Sequence, residues 1–186
     1  MLGSSKQGFT LIEILIAIAI MGIMIAVVVP NFRRLFPARE REQFVSNLSA
    51  LTRYAWQHAL IERKNHKVVF DFTAKKIWVE MATGTLKNGQ PEFAPIKGAY
   101  ITTSLAIPKS IEIKNFIIEG YDEISRYGGS SKAAQSWFFI TPDGLTQTVT
   151  INFVSNKETS AGKPRQFGLV LNPFNAQFKV YDSFQK

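Results

Sequence analysis

Gly8-Phe9-Thr10-Leu11-Ile12-Glu13 leads directly into the apolar run Ile14 to Val29, and this stretch decides the fold. The segment from Phe9 to Val29 is 21 residues long, and Glu13 is its only charged residue. A helix of that length measures roughly 31 Å, which is close to the hydrocarbon thickness of a bilayer. The sequence therefore predicts a membrane-spanning helix that begins near Phe9.

The position of a small residue relative to the apolar run distinguishes kinds of N-terminal signal. A secretory signal has its cleavage site after the apolar core, whereas Gly8 comes before it and is followed by F-T-L-I-E. This order resembles the signal of type IV pilins and of the pseudopilins of type II secretion. The resemblance implies cleavage between Gly8 and Phe9 by a prepilin peptidase, with N-methylation of the new Phe9 amine. The alternative is a plain signal anchor, in which Glu13 has no explained role.

Glu13 is the residue with the clearest physical cost. A carboxylate at the middle of a bilayer costs about 2.5–3.5 kcal/mol on insertion scales, and less near an interface. Packed among apolar helices, it needs a partner, and the Phe9 amine of a neighbouring subunit is the obvious cation. The Thr10 hydroxyl is a second candidate, as a hydrogen-bond donor. We therefore expect Glu13 to set the axial register between subunits of a filament.

Small residues and prolines mark two further features of this helix. Gly22 and Ala26 form a small-xxx-small pair, which permits close approach of a second helix, although small residues are also common in membrane helices generally. Pro30 ends the apolar run and predicts a kink there.

The chain from Asn31 to Lys64 is predicted to continue the helix with an amphipathic face. Its apolar stripe has 4-3-4-4 spacing and consists of Phe44, Leu48, Leu51, Ala55 and Ala59. The predicted organisation is a leader at 1–8, a membrane and filament-core helix at 9–30, its amphipathic continuation at 31–64, and a globular periplasmic β domain at 65–186.

After Lys64 the hydrophobic period changes from 3.6 to 2, which predicts strands. The predicted strands are 67–72, 76–81, 111–118, 137–141, 148–154, 167–171 and 178–181, with 100–103 as a short candidate. Residues 82–110 are otherwise predicted to be a long surface loop, and Pro142-Asp143-Gly144 a turn. The predicted fold is α+β and pilin-like, with the long N-terminal helix packed against a mainly antiparallel sheet.

No catalytic constellation is found in the sequence. There is no cysteine and no HExxH, GxSxG or P-loop motif, so neither an enzyme nor a cofactor is predicted. His58 and His66 lie near the end of the predicted helix. Eight residues apart on a helix, they would be about 12 Å apart along its axis, too far to share a metal, and they are expected to be solvated. Asp122 and Glu123 could touch a cation but are too few for a calcium cage.

The net charge of +8 raises the question of an anionic partner. Basic residues alternate with acids along the chain, which favours a solvated surface. The cluster Arg33, Arg34, Arg39 and Arg41 follows the apolar run, and the positive-inside rule alone would keep it in the cytoplasm. The pilin resemblance implies the opposite orientation. The arginines then face lipid head groups or acids on adjacent subunits.

A second resemblance covers more of the chain and is looser. The helix ending Arg53 to Ala59, the piece Phe139-Ile140-Thr141-Pro142-Asp143-Gly144 and the closing hairpin are similar to the H-type minor pseudopilin and FimT family. That family often has a G-R-x-R-like ending, which the stretch from Phe174 to Lys179 lacks.

The second resemblance implies a function, a location and partners. The function is that of a structural subunit of a type II secretion pseudopilus. The protein then spans the bacterial inner membrane once, with its globular β domain in the periplasm. The implied partners are the I-, J- and K-type minor pseudopilins, the major pseudopilin, the prepilin peptidase and the inner-membrane assembly platform. The alternative is a DNA-binding minor pilin of a type IV pilus or competence system. DNA binding is predicted to be unlikely, and a salt-sensitive gel shift would favour that alternative.

Overall fold

The structure is a computed structural model. It describes the backbone of residues 10–96, 103–126 and 135–186, and the side chains in these ranges except those of residues 27–37. The chain divides into two compact units: the first ends at Arg39, and the second is Glu40–Lys186. The second unit is called the head below.

One helix, α1, runs from Leu11 to Glu62, so the predicted long helix is confirmed to within two residues at each end. The helical assignment includes Pro30 and Pro37, and the kink expected at Pro30 stays a prediction. The helix ends where Arg63 adopts φ 50°, the left-handed conformation that commonly terminates helices. In the described part of the chain, no helix meets the combined length and apolarity that a membrane span requires.

After α1, the described residues form ten strands and one short helix. The strands are β1 (His66–Asp71), β2 (Lys76–Lys87), β3 (Gln90–Pro95), β4 (Ser104–Ala106), β5 (Ile111–Ile118), β6 (Tyr121–Asp122), β7 (Gln135–Ile140), β8 (Val149–Ser160), β9 (Lys163–Leu171) and β10 (Phe178–Tyr181), and α2 is Glu123–Arg126.

The strands form two sheets of five rather than the single sheet that the sequence suggested. The first sheet has the order β3-β2-β1-β7, with β4 also paired to β2, and the second has the order β10-β9-β8-β5-β6. All of these pairings are antiparallel. The predicted class, a helix packed on antiparallel sheet structure, is confirmed.

The prediction of a long loop at 82–110 is wrong. The strand β2 extends to Lys87 and pairs with β3 across Asn88 and Gly89, which have φ 54° and 78°. Positive φ at both residues of an Asn-Gly pair is typical of a type I′ hairpin turn. The dipeptide therefore indicated a hairpin, which the loop prediction overlooked. Most of the candidate strand 100–103 lies outside the described residues.

The core of the second unit lies between α1 and the two sheets. The predicted stripe is confirmed, because Phe44, Leu48, Leu51, Ala55 and Ala59 are all buried. Phenylalanine side chains from both sheets complete the core. The ring centroids of Phe70 and Phe116 are 4.8 Å apart, and the rings of Phe153 and Phe167 stack with centroids 5.1 Å apart. Apolar burial of this kind contributes about 25 cal/mol per Å² removed from water.

Thr52 is fully buried in this core, and its hydroxyl has no hydrogen-bond partner among the described residues. An unpaired buried hydroxyl costs about 1–3 kcal/mol. Thr52→Val keeps the branched shape and removes the hydroxyl, so we expect the free energy of unfolding to rise by about 1 kcal/mol. Urea unfolding of the full chain in detergent micelles measures this change.

Ser110 provides the matched control for Thr52. It is also buried, but its hydroxyl donates a hydrogen bond of 2.7 Å to Glu40 Oε2. Ser110→Ala is expected to lower the free energy of unfolding. A destabilised Thr52→Val variant would contradict the assignment of Thr52 as an unsatisfied group.

Candidate functional site

The start of α1 is built from the predicted assembly residues Thr10 and Glu13. Thr10 precedes the first helical residue, and its Oγ1 accepts a hydrogen bond of 3.4 Å from the Glu13 amide. The Thr10 carbonyl also accepts from the amides of Glu13 and Ile14, at 3.1 and 3.3 Å. Thr10 is therefore the N-cap, and Glu13 occupies the third helical position, where an acid is favoured by the helix dipole.

This local role of Thr10 was missed in the sequence analysis, although T-x-x-E is the spacing of a capping box. A hydroxyl can accept one hydrogen bond and donate another, so capping leaves its hydrogen free for a carboxylate. The predicted contact between Thr10 and the Glu13 of a neighbouring subunit remains a prediction.

The side chains that surround Glu13 are apolar and exposed. The large apolar residues between Leu11 and Ile25 have exposed fractions of 51–80%. Gly22 is also open, since no atom lies within 4 Å of the position that a Cβ would take. Gly22 and Ala26 thus lie on a helix that is still unpartnered in the described residues, and their predicted helix contact stays a prediction.

Three predicted site residues have no described side-chain geometry. Gly8 and Phe9, the predicted cleavage and methylation positions, lie outside the described residues, as does the rest of the leader. Pro30 lies within α1, in the range where only the backbone is described.

Of the four clustered arginines, Arg41 lies within the head and does not face outward as predicted. Its Nε donates a hydrogen bond of 3.1 Å to Glu158, and both side chains are largely buried, with exposed fractions of 12% and 10%. The guanidinium also lies 5.7 Å from the Phe167 ring centroid. Sequence analysis could not find this pair, because its members are 117 positions apart. Arg39 is exposed, and the side chains of Arg33 and Arg34 are not described.

Glu40 forms a second link at the same end of the head. Its carboxylate accepts hydrogen bonds from Ser110 and, at 3.4 Å, from Lys157 Nζ. The hydrogen bond from Ser110, with that from Lys157, lowers the pKa of Glu40 despite its partial desolvation. Glu40 and Arg41 together fix the beginning of the head's helix segment to β5 and to the β8–β9 hairpin.

The turn that the sequence singled out, Pro142-Asp143-Gly144, is docked on α1. The Trp56 indole Nε1 donates a hydrogen bond of 2.6 Å to the Gly144 carbonyl. Gly144 has φ 82°, and a Cβ there would lie 3.0 Å from Leu60 and 3.2 Å from the Trp56 nitrogen. Asp143 accepts a short hydrogen bond from the Thr141 hydroxyl, which lowers the pKa of Asp143. The predicted turn is confirmed, and the structure adds that the P-D-G motif packs on α1 through Trp56 and Leu60.

Gly144→Ala is expected to lower the free energy of unfolding by about 2 kcal/mol, because the new methyl group meets both a strained φ and close neighbours. Gly162→Ala is the matched control: φ is 76° there, but nothing lies within 4 Å. It is expected to show the backbone cost alone. Equal losses in the two variants, measured by urea unfolding in micelles, would show that docking on Trp56 adds nothing.

The adjacent acids Asp122 and Glu123 both contact groups of the protein itself. The Asp122 carboxylate accepts hydrogen bonds from Asn115, Ser125 and the amides of Phe116 and Ile124. Burial raises the pKa of Asp122, but these hydrogen bonds outweigh it and bring the pKa below its ordinary value. Glu123 lies 3.5 Å from Arg126. Asp122 therefore caps α2 and stabilises the turn between β5 and β6 through its hydrogen bonds to Asn115 and Phe116.

The histidine prediction is wrong. Only His58 is on α1; His66 is the first residue of β1 and is fully buried. His58 Nδ1 and His66 Nε2 are 2.9 Å apart. The helix ends at Glu62 and the chain turns back, which brings together two side chains that a continuous helix would separate by roughly 12 Å.

Comparison with known proteins adds two findings. The prokaryotic N-terminal methylation motif matches residues 3–29, whereas no curated protein matches the chain significantly. A crystal structure of the minor pseudopilin EpsH, from the type II secretion system of Vibrio cholerae, is similar with 9% identity and a TM-score of 0.54. That match covers 77% of this chain and 96% of EpsH. A second EpsH structure gives 10% identity, a TM-score of 0.50, and coverages of 76% and 95%.

The type IV minor pilin FimU of Pseudomonas aeruginosa also matches, with 15% identity over 75% of this chain and 91% of FimU, at a TM-score of 0.43. The chain thus carries a prokaryotic N-terminal methylation motif and has a pilin-like fold. The motif identifies the beginning of the chain, and the EpsH comparison identifies the fold of the head.

Proposed function

We propose that this chain is a minor pseudopilin of the H type, a structural subunit of the periplasmic pseudopilus of a type II secretion system. The observation that carries the proposal is Glu13 in the first turn of an exposed apolar helix, within the matched methylation motif. The EpsH fold of the head supports the H type.

The exposed apolar helix needs a covering. Full burial of one large aliphatic side chain contributes about 1.5–3 kcal/mol, and eleven such residues between Leu11 and Ile25 are more than half exposed. Lipid and packed helices can both cover these side chains. In our proposal the bilayer covers them before assembly and the helices of other subunits cover them in the filament.

Lipid and packed helices differ in the partners that they offer to the Glu13 carboxylate. Lipid offers a carboxylate no partner, so the free energy of the lipid-inserted state includes part of the insertion cost. In a bundle of pilin-like helices, the Phe9 amine of a neighbour supplies a cation and Thr10 supplies a hydrogen-bond donor. The Glu13 carboxylate can thus be accommodated in the membrane, but it finds its charge and hydrogen-bond partners only in the assembly.

The surface charge of the head fits protein assembly better than DNA binding. Many basic side chains in the described part of the chain already lie close to an acid: Arg41, Lys67, Lys114, Arg126, Lys157 and Arg165. A cation that is neutralised within the head contributes little to phosphate binding. We therefore do not favour the DNA-binding minor pilin.

The proposal includes processing and location. The prepilin peptidase cuts between Gly8 and Phe9, and the new Phe9 amine is N-methylated. The protein then resides in the inner membrane with its head in the periplasm. It joins the major pseudopilin and the I-, J- and K-type minor pseudopilins through the assembly platform.

Mass spectrometry of the protein from its host tests the processing step. We expect a mature chain that begins with N-methylated Phe9, and a Gly8→Val variant that retains its leader. A chain that still begins at Met1, or that is cut beyond the apolar run, would overturn the proposal.

Deletion of the gene distinguishes a type II secretion system from a type IV pilus. Loss of secreted proteins from the medium is expected, and a defect confined to pili or DNA uptake would instead assign the chain to a type IV pilus.

A further inference from the structure

The two histidines of the chain form a pair that joins the end of α1 to the start of β1. His58 lies in the last turns of α1, and His66 opens β1. Their rings meet edge to face, with centroids 5.1 Å apart, and Nδ1 of His58 lies 2.9 Å from Nε2 of His66. His66 is fully buried, so this hydrogen bond is shielded on one side.

The position of each hydrogen follows from a third group. His66 Nδ1 lies 2.9 Å from the Lys64 carbonyl oxygen. A carbonyl can only accept, so His66 Nδ1 carries the hydrogen. In a neutral imidazole the other nitrogen is then an acceptor, and His66 Nε2 accepts from the Nδ1–H of His58. The geometry therefore fixes the tautomer of both rings.

The first and the second proton added to the pair have opposite consequences. A first proton, taken up at His58 Nε2, leaves one hydrogen between the rings, so the hydrogen bond stays in place whichever ring holds the charge. A second proton puts hydrogen on both nitrogens of both rings, so that two donors face each other at 2.9 Å and the bond breaks. Only the second proton, on His66 Nε2, disconnects the helix from the strand.

The surroundings of His66 oppose that second proton. Burial lowers its pKa below the ordinary value, and the hydrogen bond to Lys64 raises it by less. Nearby charges act in both directions, since Glu62 raises the pKa whereas His58 and Lys64 lower it. The Tyr54 ring lies 5.5 Å from His58. The cross-strand neighbours of His66 on β2 and β7 are Met81 and Ile140, which do not titrate.

We propose that His58 and His66 form an acid-released latch between the end of α1 and the start of β1. At neutral pH the neutral His66 accepts the hydrogen bond and holds the turn 63–65 closed. Once acid has also charged the His58 ring, a proton on His66 Nε2 opens the ring contact, and this end of the helix separates from the strand. The latch is a property of the head and does not depend on the proposed function.

The direction of the pH effect follows from linkage. His66 binds a proton less readily in the folded than in the unfolded chain, so acid stabilises the unfolded state first. The stability is complete above about pH 6.5, the ordinary histidine pKa, and decreases as the pH falls toward the lower folded value.

Nitrogen NMR of the full chain in detergent micelles, labelled with ¹⁵N-histidine, tests the latch. The sequence has only two histidines, so two ring systems are observed. Between pH 8 and 4.5 we expect both rings to start with hydrogen on Nδ1. We also expect His66 to take its proton at the pH where the amides of 58–66 lose their protection from hydrogen exchange.

Two variants of His58 separate the latch from simple burial. His58→Asn places an amide donor at the position of His58 Nδ1, whereas His58→Phe keeps an aromatic ring without a donor. The His66 titration is expected to shift to higher pH in His58→Phe, and less in His58→Asn. Hydrogen on His66 Nε2 at pH 8, or identical His66 titrations in all three proteins, would overturn the proposal.

Discussion

A Glu13→Leu variant is expected to enter the membrane as well as the wild type and to be lost almost completely from the filament, by at least about tenfold. The substitution removes the insertion cost of the carboxylate, so insertion is not impaired. It also removes the only charge in the apolar run that can pair with a neighbouring Phe9 amine. A tenfold loss corresponds to about 1.4 kcal/mol, which is well within the value of a buried ion pair whose partner is removed. Fractionation of membranes and sheared pseudopili measures both quantities.

Two further variants make this result specific. Met24→Leu changes an equally exposed position of the same helix without changing charge, and it is expected to assemble normally. Glu13→Gln keeps the hydrogen-bonding capacity and loses the charge, so an intermediate loss is expected. Normal incorporation of Glu13→Leu would count against Glu13 as the residue that sets the register.

The second large effect is expected at Glu158. Glu158→Gln removes the buried carboxylate partner of Arg41, in a site where both side chains are nearly nine-tenths buried, and leaves only the exposed Glu42 at 3.9 Å. Removal of one member of a buried pair costs about 3–5 kcal/mol, and we expect about 3 kcal/mol here because some solvent remains. The double variant Arg41→Met/Glu158→Met replaces both charges by apolar groups and is expected to recover most of that loss. Urea unfolding in micelles measures the three free energies.

An exposed pair provides the control. Lys114 Nζ lies 2.8 Å from Glu112, closer than Arg41 lies to Glu158, but these side chains are 44% and 50% exposed. Glu112→Gln is expected to cost less than 1 kcal/mol, because solvent screens exposed pairs. A similar loss in Glu112→Gln and Glu158→Gln would show that burial does not decide the strength of these pairs.

Local sequence was sufficient wherever a feature depends on near neighbours in the chain. The methylation motif, the long helix, its buried stripe from Phe44 to Ala59 and the P-D-G turn were all predicted, and the family match and the structure confirm them. Periodicity and turn chemistry act over a few residues, so they are visible without the fold.

Strand pairing was predicted less well for a physical reason. The ends of β2, β8 and β9 extend as hairpins that are exposed over most of their length, so apolar and polar side chains do not alternate along them. A second sheet was also invisible, because alternation reports that a strand has one buried face but not which sheet covers it.

The sequence by itself determined an N-terminal methylation motif, one acid in an apolar helix, and a domain of alternating strands. Only the tertiary structure decided the contacts between distant residues. It paired His58 with His66 and Arg41 with Glu158. It also made Gly168 obligatory, since a Cβ there would lie 2.8 Å from the Ser183 carbonyl of the C-terminal tail, which Asn152 fixes through Gln185. Such contacts depend on where the chain returns in space, whereas the motif, the helix and the turn depend on interactions within a few residues.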